Sequence, residues 1–221
     1  MKVSMLKWMR PHVTVNCAMT PDGKIAGRER RQVRISSGED IERVQRLRAS
    51  SDAVLVGVGT ILADDPHLTV KGPIRGSNPL RVVLDSRGRT PATAKVLDGR
   101  APTLIVTSEE STATWEGAEV ARLGKGRVDL SLLLSDLHRR GVRELLVEGG
   151  GEVVWSFFRE GFVDRYCVFV GSIVLGGRCA PTPVDGEGFD VANAKRLRLR
   201  EVTRLGDGAL LDYEVVSDER A

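Results

Sequence analysis

Cysteine is scarce in this chain: its 221 residues hold three, Cys17, Cys167 and Cys179. The number is odd, the spacing is wide and no two stand in a C-x-x-C pair. That argues against a disulfide framework or a zinc site and fits a reducing, cytoplasmic setting. Long apolar runs are missing as well. No stretch approaches the roughly 20 apolar residues of a membrane-spanning helix. The start, MKVSMLKWMR, carries Lys2, Lys7 and Arg10 without the apolar segment of a secretory signal. Aromatic residues make up only 5% of the chain, and charge of one sign is nowhere concentrated. Lys and Arg number 33 against 30 Asp and Glu, and the bases are scattered among the acids. Few aromatics and no basic patch count against a nucleic-acid partner, while the net charge of +3 is compatible with anionic small ligands.

What is present is an ordinary globular composition, 41% hydrophobic and 29% charged, in a chain long enough to bury a core without staples. HVTVNCAM (12–19) alternates and reads as a strand, followed by the turn TPDGK (20–24). ISSGEDIERVQRLRASS (35–51) has Ser36 three residues before Glu39, a capping-box spacing, and then Ile41, Val44, Leu47 and Arg48 at helical spacing. DAVLVGVGT (52–60), LRVVLDS (80–86), PTLIVTS (102–108) and VRELLVEGG (142–150) read as strands, the first ending in glycines. LSLLLSDLHRRG (130–141) and GEVVWSFFREG (151–161) read as helices closed by Gly141 and Gly161. A strand opens VDRYCVFVGSIVLGG (163–177), and REVTRLGDGALLDYEVV (200–216) is a hairpin through Gly206-Asp207-Gly208. The tract 176–196 is an insertion between strands. The alternation predicts a single α/β domain over 11–217, behind an extension of residues 1–10. Its sheet should be mixed and mostly parallel, flanked by helices, with an antiparallel carboxy-terminal hairpin.

In an open α/β sheet ligands bind beyond the carboxyl ends of the strands. Four ends here carry polar or glycine-rich groups. Thr60 is placed to cap a short helix and to offer its hydroxyl and N–H to a phosphate, ahead of Asp64 and Asp65. A plain cap followed by two solvated acids is the other reading. Asp85-Ser86-Arg87-Gly88-Arg89 follows a buried strand, and its arginines suit the 2′-phosphate of an adenine dinucleotide, or simply a basic surface turn. Gly149-Gly150-Gly151 joins a strand to a helix starting near Glu152, an arrangement that binds a diphosphate on free N–H groups, or makes a tight corner. It is not the Rossmann fingerprint, because Val154 stands where the third spaced glycine belongs. Asn16 with the Pro21–Lys24 turn is, by itself, only a turn.

Taken together, NCAMTPDGKIA (16–26), LRASSDAVLVGVGTILADDPHLTV (47–70), NPLRVVLDS (78–86), LLVEGGG (145–151) and GGRCAPTPVDGEG (176–188) resemble one family. It is the archaeal 2,5-diamino-6-ribosylamino-pyrimidinone 5′-phosphate reductase family of riboflavin biosynthesis. That family is homologous to the reductase domain of the bacterial bifunctional deaminase-reductase and similar in fold to dihydrofolate reductase. The resemblance implies a homodimer, NADPH as hydride donor, and reduction of the ribose of a pyrimidine ribosyl phosphate. It also implies cofactor contacts at Thr60, Asp64, Asp85, Ser86, Arg87, Gly88, Arg127, Gly149, Gly150, Gly151 and Glu152. On the substrate side it implies Asn16, Ser36, Arg48, His67 and Lys71, and as proton-handling groups Lys24 and Glu148. Lys71 departs from bacterial relatives, which often carry arginine after LTV; the charge stays and the bidentate fork is lost. No H-x-E with P-C-x-x-C zinc-deaminase signature occurs, so a reductase alone is expected.

Two other readings compete. One is a pterin reductase in the strict sense; the other is a regulatory domain that binds a nucleotide without turning it over. Residue types alone also leave open whether the pyrimidine is reduced before or after losing its 2-amino group.

Overall fold

A computed structural model describes residues 10–31, 33–74 and 76–216. Apart from Arg10, the expected extension over 1–10 lies outside the described residues, as does Ser217. In chain order the elements are β1 (His12–Met19), α1 (Gly38–Ser50), β2 (Ala53–Gly57), α2 (Val58–Asp64), β3 (Leu80–Leu84), β4 (Thr103–Thr107) and β5 (Glu119–Arg122). They continue with α3 (Leu130–Arg139), β6 (Glu144–Gly149), α4 (Gly151–Arg159), β7 (Arg165–Val170), β8 (Leu197–Leu205) and β9 (Gly208–Val215). Hydrogen bonding orders the strands β5-β4-β3-β2-β6-β1-β7-β9-β8. The expected class is present: α/β, with a mixed, mostly parallel sheet and an antiparallel carboxy-terminal hairpin. By internal contacts the chain divides into two compact units.

The first unit takes the residues up to His12 and Arg46–Leu146. Its strands pair in parallel, β2 with β3, β3 with β4 and β4 with β5. Every residue of β2 and β4 is buried, as parallel strands covered on both faces require, and both read as near-continuous apolar runs. The core gathers Val54, Val56, Ile61, Leu68, Val83, Val96, Ile105 and Leu146, with Leu47 and Trp115 packed against it. Burial of each such side chain is worth about 1.5–3 kcal/mol. A charge sits in β3 as well. Arg81 is 0% exposed and donates to Thr103 Oγ1, to the carbonyls of His67, Lys95 and Ala101, and to Asp98 Oδ1 at 2.6–3.3 Å. It ties the strand to the loops before and after it. Helix α3 starts on a side-chain cap: Asp129 accepts from the Leu132 N–H at 3.0 Å.

The second unit takes Val13–Gln45 and Val147–Ala221. Here β1 pairs in parallel with β7, and β7-β9-β8 is antiparallel, with a bulge between Leu199 and Glu201. The amphipathic α4 buries Val154, Trp155, Phe157 and Phe158, and Phe158 meets Tyr166 edge-on at 5.2 Å. Ser172 Oγ donates to the Asp207 carbonyl at the hairpin tip.

Four local expectations are corrected, and one unexpected strand, β5, is added. The cap of α1 is Ser37, whose hydroxyl accepts from the Asp40 N–H at 3.1 Å; Ser36 lies one residue before that cap. The stretch 52–60 is not strand throughout, because it turns into α2 at Val58. The cap there is Gly57, so Thr60 is an interior residue of the first turn and caps nothing. Strand β5, four residues at one end of the sheet order, has an alternation too weak to predict a strand from the sequence. Gly208 belongs to β9, leaving Gly206 and Asp207 as the hairpin turn.

Candidate active site

The first unit carries Arg48, Thr60, Asp64, His67, Lys71, Asp85–Gly88 and Arg127. Helix α2 follows β2 without a loop, so the N–H groups of its first turn, with Thr60 among them, have no side-chain cap. Asp64 is half-buried near the end of that helix. Asp65 adopts φ 41° and accepts from the Lys95 N–H at 2.8 Å, which makes it a loop anchor. Asp85 faces inward: it is 0% exposed, and its Oδ2 takes the Thr90 N–H at 2.6 Å and the Thr90 hydroxyl at 2.8 Å. That holds the 85–90 turn in shape. Gly88 turns at φ 67°, and a Cβ there would lie 2.5 Å from that of Ala113. Ser86 Oγ accepts from the Val128 N–H at 3.1 Å, joining the turn to the segment before α3. The neighbouring Arg87 and Arg127 are both exposed.

On the same unit Arg48 donates to the Thr69 carbonyl at 3.2 Å, and His67 Nδ1 lies 2.9 Å from Asp98 Oδ2. Asp98 is the acid that meets Arg81. Partial burial pushes its carboxyl up, but Arg81, the Arg100 N–H and His67 outweigh this and hold it at about 2.

The second unit carries Asn16, Lys24, Ser36, Glu148 and Gly149–Glu152. The turn after β1 is clasped from outside. Asp22 accepts from the N–H groups of Leu175 and Gly176 at 3.3 and 2.7 Å. Lys24 Nζ donates to the Ala180 carbonyl at 3.3 Å, and the Ile25 N–H to that of Pro181 at 3.0 Å. Asn16 is 6% exposed and accepts from Arg43 at 2.7 Å. Ser36 and Glu148 are half-buried.

The glycine triplet has separate reasons at separate positions. Gly149 stands at φ 106°, which side chains resist, although a Cβ there would have nothing within 4 Å. Gly150 is the extended cap residue of α4 and offers no side chain, so no side-chain cap meets the N–H groups of the first turn, of which that of Val153 bonds the Gly150 carbonyl at 2.9 Å. At Gly151 a Cβ would meet the Thr182 carbonyl at 2.6 Å and the Asp185 carboxylate at 2.9 Å.

The tract 176–196 is therefore packed down on α4. Asp185 Oδ1 accepts from the Thr182 N–H and hydroxyl at 2.9 and 2.7 Å, and the Phe189 and Trp155 rings meet tilted at 56°, with centroids 4.4 Å apart. Its 3-10 turn, Val191–Asn193, is exposed throughout, with Val191 at 96%. Thr182, Asp185, Asp40, Arg43, Arg81 and Asp98 are not legible in the sequence as site-supporting residues: Arg81 meets Asp98 and Arg43 meets Asn16 across 17 and 27 residues, and the local pairs Asp40–Arg43 and Thr182–Asp185 read as ordinary surface charge and turn. Only the TPVDG turn chemistry of 182–186 hints at one of them.

No group of three or more His, Cys, Asp or Glu able to hold a metal ion occurs among the described residues. No described helix is long and apolar enough to cross a membrane.

Over nearly its whole length the chain is similar to known proteins. The RibD C-terminal domain model matches residues 11–211. Over 214 residues the chain is 47% identical to the 2,5-diamino-6-ribosylamino-4(3H)-pyrimidinone 5′-phosphate reductase of Archaeoglobus fulgidus, covering 90% of this chain and 96% of that one. Over 215 residues it is 45% identical to the protein of the same name from Methanothermobacter thermautotrophicus, covering 94% and 99%. Among solved structures it is similar to a diaminohydroxyphosphoribosylaminopyrimidine deaminase/5-amino-6-(5-phosphoribosylamino)uracil reductase from Thermotoga maritima, with a TM-score of 0.83 and 27% identity. That match covers 97% of this chain and 59% of the other, so the chain spans about three fifths of that longer protein. With its fold and nearly its whole length accounted for in this way, the chain belongs to the RibD C-terminal domain family.

Proposed function

We propose that the chain is an NADPH-dependent reductase that converts the ribose of 2,5-diamino-6-ribosylamino-4(3H)-pyrimidinone 5′-phosphate to a ribityl chain. One observation carries the reading: near full-length identity of 47% and 45% to two reductases of that name. The residues present fit a dinucleotide phosphate. In the second unit, the uncapped start of α4 offers N–H groups and the positive end of a helix dipole to a diphosphate. In the first unit, Ser86 and the exposed Arg87 and Arg127 suit a 2′-phosphate.

When bound, NADPH supplies the hydride. The chain's own residues hold the ribosyl phosphate and handle the proton that ring opening and the developing charge at nitrogen require. Lys24, tethered loosely at 3.3 Å to a backbone carbonyl, is the assigned donor, and Glu148, half-buried near the end of β6, orients the substrate. Asn16, Ser36, Arg48, His67 and Lys71 are assigned to substrate, Arg48 and Lys71 as its cations.

The protein acts in the cytoplasm as a homodimer. In support of the dimer, Leu197, Leu199 and Val202 expose 38%, 51% and 56% of their surface opposite Val215, Tyr213 and Leu211, making one apolar face of the hairpin. Sedimentation at micromolar concentration tests this; a monomer refutes it.

The reaction is tested by following NADPH absorbance with the diaminopyrimidine, with its deaminated counterpart and with dihydrofolate. Turnover of the first substrate is expected. Preference for the second or third would reassign the substrate, and oxidation with none would leave a nucleotide-binding domain.

A further inference from the structure

We infer that Arg43, anchored by Asp40, is a positioning residue that sets the amide of Asn16 to donate toward the substrate. The inference rests on the reductase reading of the site. All three residues lie in the second unit. Arg43 Nη2 is 2.7 Å from Asn16 Oδ1, and Arg43 Nε is 2.8 Å from Asp40 Oδ1. A guanidinium has five donors and no acceptor, so the Asn16 atom it touches must be the carbonyl oxygen. The amide is thereby locked in one of its two orientations, and Nδ2, which makes no hydrogen bond within the described residues, is left as a donor for something else. Asn16 is 6% exposed, so a donor there is held in a confined setting and can address only what comes up against it.

Asp40 adds a second observation. It is 1% exposed, and its Oδ2 is buried without a hydrogen-bond partner among the described residues. A carboxylate sunk with one oxygen unmet is a poor stabilising device, because the unmet oxygen keeps its desolvation penalty. Its use is to fix Arg43: both the Nε contact and an Nη2 approach of 2.7 Å converge on Oδ1, which pins the guanidinium plane. The chain of contacts runs from α1 to β1 and ends at an amide whose donor side is committed to an acceptor oxygen or nitrogen of the ribose or pyrimidine.

Steady-state kinetics of the full chain at saturating NADPH test this with Arg43→Met, Arg43→Lys, Asn16→Asp and the double variant Arg43→Met/Asn16→Asp. Arg43→Met frees the amide to flip and should raise KM about tenfold, the scale of one misplaced hydrogen bond, with kcat within about threefold of the parent. Arg43→Lys restores a donor and should recover part of the loss. Asn16→Asp keeps the Arg43 contact but cannot donate, and should match Arg43→Met. The double variant should be little worse than either single one, since both remove the same donor. If Arg43→Met lowers the melting temperature and leaves KM alone, Arg43 is only a brace and the inference is overturned. Fully additive losses in the double variant overturn it too. Absence of turnover by the parent chain overturns the reductase reading and this inference together, which separates the two failures.

Discussion

A guanidinium enclosed by protein is sound only while every partner stays in place, and Arg81 has five contacts, one of them ionic. Removing that ionic partner strands the buried charge, so Asp98→Asn should destabilise the chain at neutral pH by about 3 kcal/mol. The sign with pH follows from the carboxyl being held at about 2, below its ordinary 3.8. A depressed folded-state value stabilises above the unfolded value and fades as pH drops through the folded one. Thermal melts from pH 7 downward should therefore show the gap between parent and Asp98→Asn closing between pH 4 and 2; a constant gap would mean that Asp98 acts by shape alone. The thiols give a second residue-level outcome. Burial pushes Cys17 up to about 12 and Cys167 to about 11, while Cys179 is exposed. Part of Cys17 reaches the surface, but its thiol is enclosed beside the Tyr166 hydroxyl at 3.6 Å. Since the thiolate is the reactive form, only Cys179 should label at pH 8 in the native chain, and all three after unfolding. Rapid native labelling of a second thiol would refute this.

At the scale of elements, the corner between β6 and α4 separates packing from binding. Gly151→Ala drives a methyl against a backbone carbonyl and should cost about 1–3 kcal/mol of stability. Gly150→Val instead should weaken NADPH about tenfold with the fold retained; a titration with unchanged affinity would reduce the triplet to a corner. Most elements are readable from the sequence because their periodicity is a local property: the alternation of HVTVNCAM, the 3.6 spacing of α1, the apolar blocks of β2 and β4. What escapes is set from outside the element. Val58 and Gly59 prolong the apolar run of β2, so the onset of α2 leaves no mark, and the shift of the cap from Ser36 to Ser37 is a choice between adjacent serines. Arg81 reads as a solvated base at the start of a strand because its partners lie 14 to 22 residues away. Arg43 with Asn16, 27 residues apart, is hidden for the same reason. The candidate site is thus visible as glycines, turns and lone bases, and its supports are not.

For the molecule as a whole, the proposed cofactor makes one outcome decisive: preference for NADPH over NADH. Arg87→Ala and Arg127→Ala should each narrow it, and at least one clearly, read as the ratio of kcat/KM values for the two cofactors. Two variants that discriminate as well as the parent would mean that the extra phosphate is held by other groups. The chain also has a place where it tolerates change. From Thr182 to Phe189 the long tract is fastened to α4, yet the next turn, Val191–Asn193, stands in solvent and, among the described residues, hydrogen-bonds only to its own neighbours. Backbone that is exposed and bonded only locally accepts inserted sequence readily. A fluorescent or affinity peptide spliced between Ala192 and Asn193 would ride on the enzyme without unseating the Trp155–Phe189 ring pair that precedes it. This makes the turn a handle for immobilising the catalyst while both chain ends stay native.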